Sequence, residues 1–134
     1  MSDNAEPVSG NCLCGSVRYE VDQFARGVVG CHCEQCRKTS GHYVAATKAT
    51  HDNLRMISDK TVKWYRSSDI AERGFCSECG SNLFWRRIGE DATSIMAGAL
   101  NNPTGLALQS HIYTDDMGDY YELHDDVPTY PQSG

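Results

Sequence analysis

Seven cysteines stand in three tight groups: Cys12-x-Cys14, Cys31-x-Cys33-x-x-Cys36 and Cys76-x-x-Cys79. Thiolates two or three residues apart chelate zinc because the backbone presets each half-site, and two half-sites joined by folding complete a tetrahedron with bonds of about 2.3 Å. The odd count, and spacings that resist bridging within a group, argue against disulfides and for reduced thiols in a reducing compartment. Cys76-Ser77-Glu78-Cys79-Gly80 reads as a zinc-knuckle half-site, its glycine letting the chain turn tightly so that backbone N–H groups face the sulfurs. It needs a partner pair. Cys12-x-Cys14 fits better than two of the central three, because Cys31, Cys33 and Cys36 already form a compact chelate, whereas two thiols alone bind weakly. The spacing thus predicts a closed, structural zinc on Cys12, Cys14, Cys76 and Cys79 and a second, open zinc on Cys31, Cys33 and Cys36. Three thiolates leave one position for water or substrate, the pattern of catalytic zinc. His42 and His111 are candidates to close the second site; His32, between two ligands, should point the other way.

The elements that must position these thiols are mostly strands. Val17, Tyr19 and Val21 alternate with Ser16, Arg18 and Glu20 at a period of two, and continuing that period backward puts Cys12 and Cys14 on one strand face. Further β-branched and aromatic runs predict strands at Val28 to Cys31, Tyr43 to Thr50, Thr61 to Tyr65, Ile70 to Phe75, Ser81 to Trp85, Thr93 to Ala97 and Leu108 to Tyr113. Helix signals are confined to Glu34 to Lys38 and Asp119 to Leu123, too short for a helical core. The expected architecture is mainly β, antiparallel, with metal-bearing loops.

Length and charge exclude several roles. A chain of 134 residues is the size of one domain, expected here as a domain over 10–128 between flexible tails at 1–9 and 129–134. The net charge of -6, with basic residues dispersed, argues against nucleic acid, whose binding needs a concentrated positive face. No apolar run approaches the roughly 18 residues that span a bilayer, and the polar, acidic start lacks the apolar segment of a secretory signal. A cytoplasmic protein with no membrane partner is expected.

Gly10-Asn11-Cys12-Leu13-Cys14-Gly15-Ser16-Val17-Arg18-Tyr19, Cys31-His32-Cys33-Glu34-Gln35-Cys36-Arg37-Lys38-Thr39-Ser40-Gly41 and Phe75-Cys76-Ser77-Glu78-Cys79-Gly80-Ser81 together resemble the glutathione-dependent formaldehyde-activating enzyme family. His111-Ile112-Tyr113, Tyr121-Glu122-Leu123 and Val127-Pro128 resemble that family's C-terminal segment. The resemblance implies an Mss4-like fold of twisted β-sheets, the same four-plus-three division of zinc ligands, and condensation of glutathione with formaldehyde, a carbon–sulfur lyase reaction in the reverse sense. An open thiolate zinc fits that chemistry, since it can take a substrate thiol as fourth ligand and lower its pKa. The expected partners are a small-molecule thiol such as glutathione and a small aldehyde. A tripeptide with two carboxylates also needs cations: Arg37 and Lys38 follow the last ligand directly, with Lys48 and Arg86 as more distant candidates. The alternative on the same residues is a non-enzymatic, zinc-stabilised binding module.

Overall fold

The two-residue alternation is realised in ten strands of the described residues, 6–133, of a computed structural model. In chain order these are β1 (Val8–Asn11), β2 (Arg18–Val21), β3 (Arg26–Cys31), β4 (Val44–Thr50), β5 (Leu54–Ser58), β6 (Val62–Arg66), β7 (Ala71–Cys76), β8 (Asn82–Arg87), β9 (Ala92–Met96) and β10 (Leu108–Ile112), with one helix, α1 (Glu34–Ser40). They form a three-stranded sheet, β1-β2-β5, and a seven-stranded one, β10-β3-β4-β9-β8-β7-β6. The mainly β expectation holds, but the large sheet is mixed: β10 lies parallel to β3, with Ile112 opposite Cys31.

Strand alternation separates two apolar clusters on the two faces of the large sheet. On one face Ala49, Leu83, Phe84 and Ile95 pack against Val17, Tyr19 and Val21 of the small sheet, together with Cys12 and Cys76. On the other, Val44, Ala46 and Met96 pack around Cys36 under α1. β4 serves both, sending Val44, Ala46 and Lys48 to one side and the fully buried Thr47 and Ala49 to the other.

Three expectations need correction. Cys12 and Cys14 do not continue the strand of Val17 to Val21; they occupy a turn between β1 and β2, closed by the Gly15 N–H on the Cys12 carbonyl at 3.1 Å, with Gly15 at φ 83°. Asp119 to Leu123 is not helical. Tyr120 and Tyr121 there bond to His42 and His32 respectively, two anchors that a helix would hold roughly 100° apart on its surface. β1 and β5 were not anticipated. As to the expected tails, residues 1–5 and 134 lie outside the described residues; Val8 and Ser9 pair with Val21 and Glu20, and the Tyr130 N–H reaches the His111 carbonyl at 2.9 Å.

Candidate metal centre

Two turns of the same design face each other at the closed cluster. Gly15 after Cys14 and Gly80 after Cys79 both adopt positive φ, 83° and 78°, the left-handed conformation that costs any other residue about 1 kcal/mol or more. The Gly80 N–H closes its turn on the Cys76 carbonyl at 2.8 Å. Cys12, Cys14, Cys76 and Cys79 thereby bring their sulfurs within 4.8 Å of one another. The Cys12–Cys14 and Cys14–Cys76 separations are 3.6 and 3.8 Å, close to the edge of about 3.8 Å that a zinc–thiolate tetrahedron requires. Donors surround the sulfurs: the Val17 N–H on Cys12 at 3.2 Å, and the hydroxyls of Ser16 on Cys14 and Ser81 on Cys79 at 3.1 and 3.2 Å. The Ser81 hydroxyl, then the backbone N–H of Cys14, hold the Cys79 thiol down to about 5. All four cysteines are free, and the donor set suits a thiophilic metal ion.

The second cluster grows out of the β3–α1 junction. β3 ends on Cys31; Cys33, at φ -65° and ψ 162°, caps α1 by accepting the Cys36 N–H on its sulfur at 3.4 Å. Gly41, at φ 87°, ends the helix after two turns. That short helix holds Cys31, Cys33 and Cys36 within 4.8 Å of one another with no histidine or carboxylate among them. The sulfurs share charge unequally: hydrogen bonding among them pulls the Cys33 thiol well below its ordinary value and pushes Cys31 up. The nearby Arg73 guanidinium lowers Cys33 further. These three thiols could hold a metal ion with one position open, and that position adjoins a cavity of about 720 Å³ which all three line.

Behind the cluster, on the opposite face of the chain, His32 is completely buried. Its Nε2 is 2.8 Å from His111 Nδ1, and His111 Nε2 is 2.8 Å from Asp125 Oδ2. A carboxylate only accepts, so His111 donates from Nε2, His32 donates from Nε2 to His111, and the Tyr121 hydroxyl donates to His32 Nδ1. Burial first, then the neighbouring imidazoles, push His32 down to about 4, which keeps it neutral at pH 7. This chain clamps the backbone between Cys31 and Cys33. His111 is therefore committed to the clamp, and His42 to the Tyr120 hydroxyl at 2.7 Å; neither belongs to the cysteine cluster.

Residues 7–116 match the family model described as glutathione-dependent formaldehyde-activating enzyme. The chain belongs to that family. An uncharacterized lyase of Schizosaccharomyces pombe is 28% identical over 115 residues, covering 85% of this chain and 83% of that protein. A crystal structure of a Rhodobacter sphaeroides protein shares the fold at a TM-score of 0.61, with 23% identity, 90% of this chain and 98% of that one covered. Membership of the glutathione-dependent formaldehyde-activating family and the lyase relative support an enzyme of lyase type.

Within this family member the expected cations fall unevenly. Arg37 gives its Nε–H to the Asp116 carbonyl at 2.9 Å, and Lys38, largely exposed, pairs with Glu34 at 3.4 Å; the cavity is lined by neither. Arg86 stacks 3.7 Å over the Trp64 ring, at a separate, smaller hollow. Lys48 does line the main cavity, along with Arg26, Arg73 and Arg87. The last three were missed. A signal existed for Arg73: in Ala71-Glu72-Arg73 it shares the strand phase of Ala71, so a charge sits where the pattern places an apolar residue. Apart from the thiols, the charged residues of the lining are these four cations and Glu34, an excess of positive charge in a chain of net charge -6.

Proposed function

We propose that the protein is a zinc-dependent carbon–sulfur lyase of the glutathione-dependent formaldehyde-activating type, joining a small thiol such as glutathione to formaldehyde or another small aldehyde in the cytoplasm. The observation that carries this reading is the convergence of Cys31, Cys33 and Cys36 on the wall of the cation-lined cavity. Cys12, Cys14, Cys76 and Cys79 would hold a structural zinc, and Cys31, Cys33 and Cys36 a catalytic one. When bound there, zinc supplies a fourth position at which a substrate thiol loses its proton and becomes a nucleophile.

The chain's own residues do the rest. The His32–His111–Asp125 clamp fixes the loop that carries the thiols, and α1 shields Cys36 from water. The cations of the cavity favour a thiol bearing carboxylates, which are paired most strongly by guanidinium groups. Lys48 is partly spent on Glu90 at 2.9 Å, leaving Arg26, Arg73 and Arg87 as the principal anion-facing groups. Arg37 and Lys38 remain available to a carboxylate only at the outside of α1.

The reaction is tested by two-dimensional exchange NMR on glutathione and formaldehyde, which interconvert with their adduct without a catalyst. Protein shown by elemental analysis to carry two zinc ions should speed that exchange at catalytic concentration, and Cys36→Ser should not. Fully loaded protein that leaves the exchange rate at its uncatalysed value, with glutathione and with smaller thiols, would make the domain a zinc-stabilised binding module.

A further inference from the structure

Arg73 is the one cation of the cavity that is both deeply buried and largely unspent. It projects from β7 with 6% of its surface exposed. Its Nη2 lies 3.3 Å from Gln35 Oε1 and 3.7 Å from Cys36 Sγ, while Nε and Nη1 have no hydrogen-bond partner in the protein. A guanidinium carries five N–H donors, so the one on Nε and the two on Nη1 are free beside the cysteine cluster. Leaving buried donors unsatisfied is costly, about 1–3 kcal/mol for each group, and native proteins rarely tolerate it unless a ligand or water completes the set. Balancing the thiolates' negative charge needs a positive charge nearby; it does not need a guanidinium, on a residue that lines the cavity, with buried donors left unpartnered.

We propose that Arg73 forms an anion subsite next to the Cys31, Cys33 and Cys36 cluster, and that it binds the oxygen of the thiol–aldehyde adduct as that oxygen becomes negative. The proposal rests on the reaction assigned above. In that reaction the substrate thiolate sulfur forms a bond to the carbonyl carbon, and the carbonyl π pair moves onto oxygen, which then takes a proton from solvent. No oxidant or reductant is involved. The oxygen that carries the charge is two bonds from the sulfur, so a sulfur held at the cluster places it within the neighbourhood of a guanidinium already in contact with Cys36. Glutathione's own carboxylates lie many bonds from its sulfur and would reach instead the other cations of the cavity lining, among them Lys48 and Arg87. Donors fixed in place before the charge develops are the most effective kind of transition-state stabilisation, which makes Arg73 a catalytic residue distinct from the groups that hold the thiol's carboxylates.

The test uses mercaptoacetate, which carries an anionic oxygen close to its sulfur, against uncharged 2-mercaptoethanol, both titrated calorimetrically into the zinc-loaded protein. Wild type should bind mercaptoacetate at least about tenfold more tightly than 2-mercaptoethanol. Arg73→Gln should shrink that ratio to about threefold or less without changing 2-mercaptoethanol affinity or zinc content, and Arg73→Lys should recover only part of it. A ratio near one in wild type, or a full ratio surviving in Arg73→Gln, would overturn the subsite. Should either variant lose zinc or fail to fold, the Arg73 Nε–H resonance of the wild-type protein decides: it should shift with mercaptoacetate and not with 2-mercaptoethanol, and no shift with either would also overturn the proposal. Neither readout involves aldehyde turnover, so the subsite can fail while the proposed reaction stands, and the reverse.

Discussion

Replacing one cysteine in each cluster by serine separates what the two proposed metal sites would do for the fold. A metal bridging Cys14 and Cys76 cross-links residues 62 apart in sequence. The chain-entropy relation for a cross-link of that span gives about 4 kcal/mol of stabilisation, against about 2 kcal/mol for the six residues from Cys31 to Cys36. For a domain of this size, 1 kcal/mol moves the melting temperature by roughly 3–5 °C. Cys79→Ser, once the weakened site releases its metal, should therefore lower Tm by about 15 °C, and further as the buried Cys12 and Cys76 thiols lose the ion that neutralises them. Cys36→Ser should cost about half of that while abolishing the second of the two zinc ions proposed above. The assay is a pair of thermal melts followed by circular dichroism in a mild chelator, with zinc measured on the same samples. Equal falls in Tm with loss of both metals from each variant would show that the seven thiols form one jointly structural assembly, and the division into a structural and a reactive site would be wrong.

Tyr19 is fully buried and its hydroxyl has no hydrogen-bond partner, while its ring meets Phe84 edge-on at 5.2 Å. Tyr19→Phe keeps the ring and removes the orphaned group, and should raise stability by about 1 kcal/mol in urea titration; a loss of that size would mean the hydroxyl has a partner. Asp125→Asn removes the acceptor at the end of the histidine clamp. The hydrogen bond from His111 holds the Asp125 carboxyl below its ordinary value of 3.8, so its contribution is complete above that value and is lost as pH falls through the lower, folded one. The variant's deficit in urea midpoint should be full at pH 7 and shrink only in strong acid. An undiminished deficit in the most acidic buffer that leaves wild type folded would separate the clamp's effect from the carboxylate charge.

The cysteine spacing was sufficient to sort the thiols into their two clusters, because chelation is a local constraint written in the intervals between residues. Eight strands were legible for a similar reason: half-buried strands print their faces at a period of two. β1, Val8-Ser9-Gly10-Asn11, was not, since two of its four residues are poor strand formers. Gly10 is there because the Tyr19 ring leaves no room for a Cβ, a long-range reason invisible in the segment itself. β5 belongs to the outer edge of the small sheet and exposes much of Leu54–Ser58, so it prints no clean alternation. The cations were misplaced because proximity in sequence stood in for direction. Arg37 and Lys38 follow Cys36 at once, yet α1 carries them toward Asp116 and Glu34, whereas Arg73 arrives from a strand far along the chain.

The parallel pairing of β10 with β3 has a consequence for the growing chain. During synthesis β3 emerges early with Cys31, Cys33 and Cys36 close behind, so the three thiols are complete and able to capture metal while most of the protein has yet to be made. Their support comes last: Leu108–Ile112 covers the open edge of β3, and only then can His111, Tyr121 and Asp125 close on His32. Until those residues arrive, β3 presents an uncovered sheet edge, the surface through which strands of different molecules join. The nascent protein therefore passes through a stage in which its three clustered thiols are assembled while the strand that carries them is still uncovered, and a chain broken off before Leu108 would be arrested there.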